Sequence, residues 1–231
     1  MTSVVLVPVK EHARAKLRMS PLLSGQERSL LAWAMLEDVI QALLPLAFPA
    51  AVVTSSARAA ARAEKLGWRV FWEEEQISES ASVDAASQRL ASEGVDAVLR
   101  LPADLPLVQP GDVEELLSLS IAAPCAVLAP SWDRMGTNAL LRTPPALFPS
   151  RFGPNSFALH LGEAAGTGAR LKVVENPRLA LDLDDASDIV RFLAQPADCR
   201  TYRTLMDLNI EERLTRHAIQ CDPHPGTGRN S

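Results

Sequence analysis

The fold is organised around residues 99–106, Leu99-Arg-Leu-Pro-Ala-Asp-Leu-Pro106. In this segment an apolar run reaches an aspartate and is stopped by two prolines. Together with the preceding Asp96-Ala-Val-Leu, the run is typical of a parallel strand buried on both faces. Since Pro102 and Pro106 cannot continue a central strand, Asp104 is predicted to lie just beyond its carboxyl end. Ligands bind at that edge of open α/β sheets. Asp104 is therefore a candidate cation ligand, with a simple turn residue before the next helix as the alternative.

The bulk composition is that of one globular α/β domain. The 231 residues are 47% hydrophobic and 22% charged, which allows a sizeable core. The net charge of −5, without a long basic stripe, argues against a nucleic-acid partner. The 3 cysteines lack CxxC spacing, so neither a disulfide framework nor a zinc site is predicted. Since no secretion signal and no long apolar run occur, we expect a cytoplasmic protein without membrane contact.

Apolar runs and helical patterns alternate along the first half of the chain. Residues 4–9 are predicted to form the first strand, Ser24 opens a helix with a capping box, and further strand–helix pairs follow to about residue 120. This order predicts a parallel sheet with right-handed crossovers. The second half is less regular, with strands predicted at 125–129, 139–142, 170–174 and 179–183 and helices at 156–165 and 186–193. We expect one domain over residues 1–195, then a C-terminal extension, 196–231, with one helix at 210–217 followed by a disordered end.

Four cations, Lys10, Arg14, Lys16 and Arg18, follow the first predicted strand within nine residues. Nucleotide phosphates are held at this position in many α/β proteins. The stretch has no glycine-rich loop, so side-chain cations rather than backbone amides would bind the phosphates. A solvated loop would carry the same charges, and that alternative stays open.

Asp182 and Asp184 form a second acidic group on the strand predicted at 179–183. Residues two apart in a strand point to the same side, so the two like charges would lie close together. A divalent cation relieves such repulsion, and Mg²⁺ combines a few carboxylates with substrate phosphates. Asp184 or Asp185 is also expected to cap the following helix, with Asp188 in its first turn.

Two turns in the second half are candidate anion sites. Gly136-Thr137-Asn138 is predicted to be a turn between two strands that offers a hydroxyl, an amide and backbone N–H groups. Arg151-Phe-Gly153-Pro-Asn-Ser156 is predicted to be a tight turn at the start of a helix, where N–H groups attract phosphate or carboxylate. A plain hairpin and an ordinary capped helix are the alternatives. His160, one turn further, either faces the same pocket or is a surface histidine.

Acidic strand ends, early cations and anion-binding turns are together what nucleotidyl transfer requires. Metal ions neutralise the triphosphate, and Lys and Arg hold the leaving pyrophosphate. Five segments then carry a family resemblance: residues 7–18, 102–106, 136–140, 151–157 with His160, and 179–184. In this order they resemble the 2-phospho-L-lactate / phosphoenolpyruvate guanylyltransferase family, whose members make the guanylylated precursor of coenzyme F-420.

The resemblance implies a Rossmann-like (GT-A-like) nucleotidyltransferase fold, an α/β three-layer sandwich with a mixed, mostly parallel sheet, related to the molybdenum-cofactor guanylyltransferases. It implies Mg²⁺ as cofactor, with GTP and a small phosphorylated carboxylic acid as substrates. The implied metal ligands are Asp104, Asp182 and Asp184. The implied nucleotide-binding residues are Lys10, Lys16, Arg18, Ser82 and Asp104, with Lys16 and Asp104 also catalytic. The implied acceptor-binding residues are Thr137, Asn138, Gly153, Ser156 and His160. The acceptor's own phosphate is the nucleophile, so no protein nucleophile is needed.

One segment departs from the family pattern. Where members often carry Gly-Leu-Asn-x-Ala-Leu, this chain reads Glu79-Ser-Ala-Ser82-Val-Asp84. In this fold the segment lies against the base and sugar, so the choice of nucleotide and acceptor stays open. The alternatives are another acceptor (3-phosphoglycerate or a sugar phosphate), another nucleotide, and a nucleotide-binding protein without catalysis. The oligomeric state is also open, with a homodimer as one alternative.

Overall fold

The computed structural model describes residues 1–10, 16–75, 77–120, 122–195 and 197–221. The strands are β1 (Ser3–Val9), β2 (Ala50–Thr54), β3 (Arg69–Trp72), β4 (Ala97–Arg100), β5 (Cys125–Pro130), β6 (Thr137–Thr143) and β7 (Arg170–Val173). The helices are α1 (Gly25–Leu43), α2 (Ala57–Lys65), α3 (Glu79–Ser92), α4 (Pro110–Ser118), α5 (Ser156–Gly166), α6 (Pro177–Ala180), α7 (Ala186–Leu193), α8 (Arg200–Asp207) and α9 (Ile210–Cys221), besides a short 3-10 helix, Leu17–Met19.

The described strands form one sheet in the order β3-β2-β1-β4-β6-β5-β7. β1 pairs in parallel with β2 and β4, and β2 pairs in parallel with β3. β6 runs antiparallel to both β4 and β5, and β7 is parallel to β5. The expected mixed, mostly parallel sheet is confirmed. Because β1 and β4 are neighbours at the sheet centre, the crossovers change direction between them, and ligands of such sheets bind at this point.

Helices cover both faces of the sheet, since successive strand residues point to opposite sides. Val5, Val7 and Leu99 pack with α1, α2 and α4 in one buried cluster. On the other face, Leu6 and Val98 pack with α3. The strands β5 and β6 pack with α5 on that face as well. The strands β1, β2, β4, β5 and β6 are buried on both sides, which explains their largely apolar sequences, whereas the residues of the edge strand β7 are exposed.

The C-terminal helices pack on α1 and share a further apolar cluster with the segment before α7. Leu181 and Leu183 are buried there beside Phe192, Leu205 and Ile210. The N-terminus of α8 is held by a carboxylate from α1, because Asp38 accepts hydrogen bonds from the amides of Arg200 and Thr201, both at 2.8 Å. None of the described helices has the length and apolar character that a membrane span requires.

Three predictions about secondary structure are wrong. Residues 179–183 do not form a strand: α6 ends at Ala180, and residues 181–184 run without a strand partner. Asn176 explains the short helix, since its side chain caps the first turn ahead of Pro177. Thr137 and Asn138 lie in β6 rather than in the turn before it. The helix α8 was not predicted.

Other expectations were close to the structure or fall outside it. The helix expected at 210–217 extends to Cys221. Arg14 and the end of the chain, 222–231, for which disorder was expected, lie outside the described residues.

Candidate active site

A cleft of about 600 Å³ opens where β1, β4 and β6 meet, at the sheet edge expected from the sequence. It brings together most of the predicted site residues, namely Lys10, Arg18, Asp104, Thr137, Asn138, Gly153, Ser156, Asp182 and Asp184. Lys16 lines an adjoining pocket of about 220 Å³ that shares Asp104 and Asp184 with the cleft. Ser82 and His160 are not among the residues that line the cleft.

One side of the cleft, which we call the carboxylate edge, consists of Asp104, Asp182 and Asp184. An oxygen of each lies within 4.8 Å of one from each of the others. Asp104 follows β4, and its carbonyl oxygen accepts a hydrogen bond from the Leu183 amide at 3.2 Å. Because Leu181 and Leu183 are buried in the apolar cluster, the alternating aspartates face the cleft. The expected convergence therefore arises from extended backbone, although no strand forms.

Asp182 experiences the strongest repulsion at this edge. Burial, and then the charges of Asp104 and Asp184, raise the pKa of Asp182 to about 7. A hydrogen bond from the side-chain Nδ2 of Asn138 to Asp182 Oδ1, at 3.0 Å, lowers the pKa of Asp182 but only partly offsets this effect. An additional cation at the carboxylate edge would stabilise all three charges.

Lys16 already supplies one positive charge to this edge. Its Nζ lies 2.5 Å from Asp104 Oδ2 and 2.6 Å from Asp184 Oδ1. Burial alone would lower the pKa of Lys16, but the two carboxylates outweigh it and raise that pKa above its usual range. Arg18 donates to the second oxygen of Asp184. Although burial opposes the change, Lys16 and Arg18 hold the pKa of Asp184 below its ordinary value.

The donor set of the carboxylate edge fits a hard divalent cation. All of its ligand atoms are carboxylate oxygens, which suit Mg²⁺. Among the described residues, Asp104 Oδ1 and Asp182 Oδ2 receive no hydrogen bond, so both are free to coordinate. Asp185 and Asp188 are occupied differently: they form the capping box of α7, as expected for one of these carboxylates.

A second part of the cleft lining, which we call the hydroxyl edge, consists of Thr137 and Ser156. The Thr137 amide donates to Ser156 Oγ at 2.9 Å and so joins β6 to the start of α5. A tight turn places Ser156, with Gly153 at φ +128° and Asn155 at φ +58°. The amide of Ser156 donates to the Gly153 carbonyl, and the next amide donates to Met135. Since protein carbonyls occupy these two amides, the hydroxyls are the main polar groups on this side.

His160 lies directly behind the hydroxyl edge. It is fully buried, so the surface alternative is wrong. Its Nδ1 is 2.9 Å from Thr137 Oγ1, and its Nε2 accepts a hydrogen bond from the Arg151 amide at 2.8 Å. Burial, followed by the charges of Arg100 and Arg142, lowers the pKa of His160 to about 4, so the imidazole is neutral at pH 7.

Sequence reasoning missed two charged residues of the cleft, Arg100 and Glu79. Arg100 is buried at the end of β4, stacks 4.2 Å from the Phe152 ring centroid and donates to the Thr137 carbonyl at 3.0 Å. It also pairs with Glu79, whose other oxygen lies 3.2 Å from Lys10 Nζ. Burial alone would raise the pKa of the Glu79 carboxyl, but the charges of Arg100 and Lys10 outweigh burial and hold this pKa below its ordinary value. A lone arginine in an otherwise apolar strand was the signal available in the sequence.

The segment that departs from the family pattern is bound to the loop before α5. The Phe152 amide donates to Ser80 Oγ at 2.8 Å. Asp84 accepts from the amide and the hydroxyl of Ser150, at 2.8 and 2.6 Å. The Ser82 hydroxyl donates to the Ser78 carbonyl within α3, so the structure does not bring Ser82 to the cleft. The segment therefore supports the acceptor side of the cleft through Ser80 and Asp84.

Comparison with known proteins now identifies the family. Residues 3–220 match the model of the family described as "Guanylyl transferase CofC like". The chain belongs to this family. It is a guanylyltransferase, and the resemblance found in the five sequence segments is confirmed.

Named relatives of this guanylyltransferase differ in the acceptor that their names give. The chain is 39% identical to the phosphoenolpyruvate guanylyltransferase of Rubrobacter xylanophilus, over 84% of this chain and 95% of that protein. It is 34% identical to the 2-phospho-L-lactate guanylyltransferase of Methanothermobacter thermautotrophicus, over 82% and 83% of the two chains. A 3-phospho-D-glycerate guanylyltransferase of Colwellia psychrerythraea is 30% identical, over 82% of this chain and 90% of that protein.

Solved structures confirm the fold of this guanylyltransferase. A protein of Desulfovibrio desulfuricans, provisionally named a nucleotide-diphospho-sugar transferase, superposes with a TM-score of 0.74 at 16% identity, over 94% of this chain and 99% of that one. A nucleotidyl transferase of Methanothermobacter thermautotrophicus superposes with a TM-score of 0.60 at 18% identity, over 83% and 95% of the two chains. The expected nucleotidyltransferase fold is thus established.

Proposed function

We propose that this guanylyltransferase transfers GMP from GTP to phosphoenolpyruvate or 2-phospho-L-lactate, releases pyrophosphate, and serves coenzyme F-420 biosynthesis. The observation that carries the proposal is that the carboxylate edge and the hydroxyl edge line one and the same cleft. A phosphate oxygen of the acceptor attacks the α-phosphorus of GTP, and the bond to the β-phosphate oxygen breaks. Positioning and charge stabilisation supply most of the catalysis in such a transfer.

The carboxylate edge is proposed to hold Mg²⁺ through Asp104, Asp182 and Asp184. When bound, the ion would neutralise charge on the triphosphate and on the leaving pyrophosphate. The raised pKa of Asp182 supports this assignment, because a neighbouring cation would restore the carboxylate form.

Lys16 is proposed to change partners when the nucleotide binds. It now neutralises Asp104 and Asp184, the carboxylates proposed to bind the metal. With those carboxylates holding a divalent cation, the Lys16 ammonium would be available for a phosphate oxygen of GTP. Lys10 and Arg18 line the same cleft with exposed side chains and are proposed to contact the outer phosphates. Their exposure leaves them free to reorient at little cost.

The hydroxyl edge is proposed to bind the acceptor. Thr137, Ser156 and the backbone of Gly153 present small polar groups, which suit the carboxylate or phosphate of a compact acid. A hydrogen bond holds Asn138 to Asp182, so it connects the two edges. The names of the relatives support the choice of acceptor, since they include phosphoenolpyruvate and 2-phospho-L-lactate.

The test is pyrophosphate release in a matrix of GTP or ATP with phosphoenolpyruvate, 2-phospho-L-lactate or 3-phosphoglycerate, with Mg²⁺ or with EDTA. We expect release only with GTP, Mg²⁺ and one of the first two acceptors. Pyrophosphate release with 3-phosphoglycerate alone would show that the proposed acceptor is wrong. It would also support the altered 79–84 segment as the cause of a changed acceptor specificity. GTP binding without release from any acceptor would contradict the proposed transfer.

Lys16→Met tests the exchange of partners. We expect a fall in kcat of about 10²–10³-fold, as for the loss of one charge-stabilising donor in other enzymes. Lys65→Met, at the end of α2 and absent from the lining of the cleft, is the control and should leave kcat unchanged. A Lys16→Met enzyme with normal kcat would remove Lys16 from the transfer.

A further inference from the structure

The hydrogen bonds behind the hydroxyl edge have only one consistent direction. A backbone amide can only donate, so His160 Nε2 must accept from the Arg151 amide, 2.8 Å away. Neutral imidazole carries its single hydrogen on the other nitrogen, which is Nδ1. Nδ1–H therefore donates to Thr137 Oγ1, 2.9 Å away. The tautomer is fixed by the fold and requires no bound substrate.

The same reasoning sets the direction of both hydroxyls. Thr137 Oγ1 accepts from His160, so its own hydrogen must be directed to another group. Ser156 Oγ accepts from the Thr137 amide at 2.9 Å, so the hydrogen of the Ser156 hydroxyl must also be directed to another group. In the part of the chain that the structure describes, neither hydroxyl donates to a protein acceptor. Both residues line the cleft.

We propose that His160 is a positioning residue that makes Thr137 a hydrogen-bond donor toward an anionic oxygen of the acceptor. The inference rests on the proposed function of the hydroxyl edge and extends it to a residue that touches no substrate. The imidazole donates a hydrogen bond to a lone pair of Thr137 Oγ1. The hydroxyl hydrogen of Thr137 can therefore be donated to a carboxylate or phosphate oxygen in the cleft. Donors arranged before binding cost no reorganisation when the anion arrives.

The charged groups around His160 keep it in this state. Arg100 from β4, Arg142 from β6 and Arg151 from the loop before α5 all disfavour the imidazolium, and their effect, with that of burial, exceeds the opposing effect of Asp84 from α3. Phe152 packs edge-on at 4.9 Å between ring centroids and helps to exclude water. A protonated ring would place an Nε2–H against the Arg151 amide, where two donors would meet. The surroundings therefore select one tautomer of the neutral ring.

A double-mutant cycle tests whether His160 acts through the Thr137 hydroxyl. His160→Gln keeps an acceptor near the position of Nε2 and removes the donor at Nδ1. Thr137→Val removes the hydroxyl and keeps the shape. From the strength of hydrogen bonds to charged groups, we expect kcat/KM for the acceptor to fall roughly 10-fold and roughly 100-fold respectively. The double variant should match Thr137→Val within about twofold, because the second change has nothing left to act on.

Three readouts separate this role from a merely structural one. Thr137→Ser retains the hydroxyl, so His160→Gln should again cost roughly 10-fold in that background. The KM for GTP should stay within about twofold in every variant, because the nucleotide phosphates are assigned to the opposite edge. Additive losses in the double variant, or an equal rise in the KM for GTP, would overturn the proposal.

The tautomer is also measurable without any variant or substrate. Two-bond ¹H–¹⁵N spectra of the ¹⁵N-histidine-labelled wild-type chain report which nitrogen of each neutral ring is protonated. Of the 4 histidines, one should show the neutral Nδ1–H form at pH 7 and retain it at pH 5. If none does, the positioning role is wrong, whichever acceptor the enzyme uses. If the tautomer is found but no acceptor is turned over, the proposed function fails while the arrangement stands.

Discussion

The carboxylate edge and the hydroxyl edge line the same cleft, yet their electrostatic situations are opposite. At the carboxylate edge three aspartates crowd together, and burial with like charges raises the pKa of Asp182 to about 7. At the hydroxyl edge, Thr137 and Ser156, with His160 behind them, form hydrogen bonds between neutral groups, and neither hydroxyl donates to an acceptor among the described residues. The first edge therefore concentrates negative charge, whereas the second consists of neutral hydrogen-bonding groups.

The largest effect is expected from removing a charge at the carboxylate edge. Asp104→Asn and Asp182→Asn should each lower kcat by more than about 10³-fold, since a metal ligand is lost. Without divalent cations, Asp182→Asn should nevertheless melt at a higher temperature than wild type, because the substitution relieves repulsion. Steady-state kinetics and thermal melts in EDTA measure the two effects.

Asp185→Asn is the matched control for these variants. This residue lies beside the cluster but caps α7. Because asparagine caps a helix about as well as aspartate does, the substitution should change both stability and turnover little. If all three variants lost activity equally, proximity to the cleft rather than metal binding would explain the result.

Acid should weaken the hydroxyl edge through His160. Its pKa falls from 6.5 to about 4 on folding, so the unfolded chain binds more protons between these values. The contribution of neutral His160 to the free energy of unfolding is therefore fully present above pH 6.5. It is lost as the pH falls toward 4, by about 3 kcal/mol in total. Urea unfolding at pH 7, 5.5 and 4.5 should show this loss in wild type beyond that in His160→Gln. Parallel pH dependences in the two proteins would show that His160 does not contribute.

The smallest effect is expected at Arg100, which braces the hydroxyl edge from the neighbouring strand. Arg100→Lys keeps the charge but loses the fork that reaches Glu79 and the carbonyls of Thr137 and Asn138. We expect kcat/KM for the acceptor to fall about tenfold, the size of one lost hydrogen bond to a charged group. Arg134→Lys, in an exposed ion pair at the rim, is the control. Equal activities of the two variants would contradict a bracing role for Arg100.

Most of the fold could be predicted from the sequence because its signals are local. The four parallel strands have apolar runs of the right length, and the capping box at Ser24 marks the start of α1. Asp104 was placed correctly because two prolines end β4. Asp182 and Asp184 were expected to point to the same side because residues two apart do so in a strand. Extended backbone without a strand partner has the same alternation, so the two side chains converge although no strand forms.

The features that were missed depend on contacts between distant parts of the chain. The N-terminus of α8 is stabilised by Asp38 of α1, and its cap residue, Cys199, makes no side-chain cap of its own. The roles of Arg100 and Glu79 exist only because β4 and α3 meet at the cleft. Ser82 was assigned from a position in a family motif, and the rotation of α3 turns it inward. Each case requires the tertiary structure rather than a local pattern.

The alternation of residues 181–184 has a thermodynamic consequence. Leu181 and Leu183 belong to the apolar cluster that holds α8 and α9, while Asp182 and Asp184 face the cleft. Occupancy of the carboxylate edge and docking of the C-terminal helices therefore act on the same four residues. By linkage, a cation that binds only the folded form stabilises that form, including those helices, by an amount that grows with the ratio of the free cation concentration to its Kd. Amide hydrogen exchange in α8, remote from the chemistry, would then slow as the cation concentration rises.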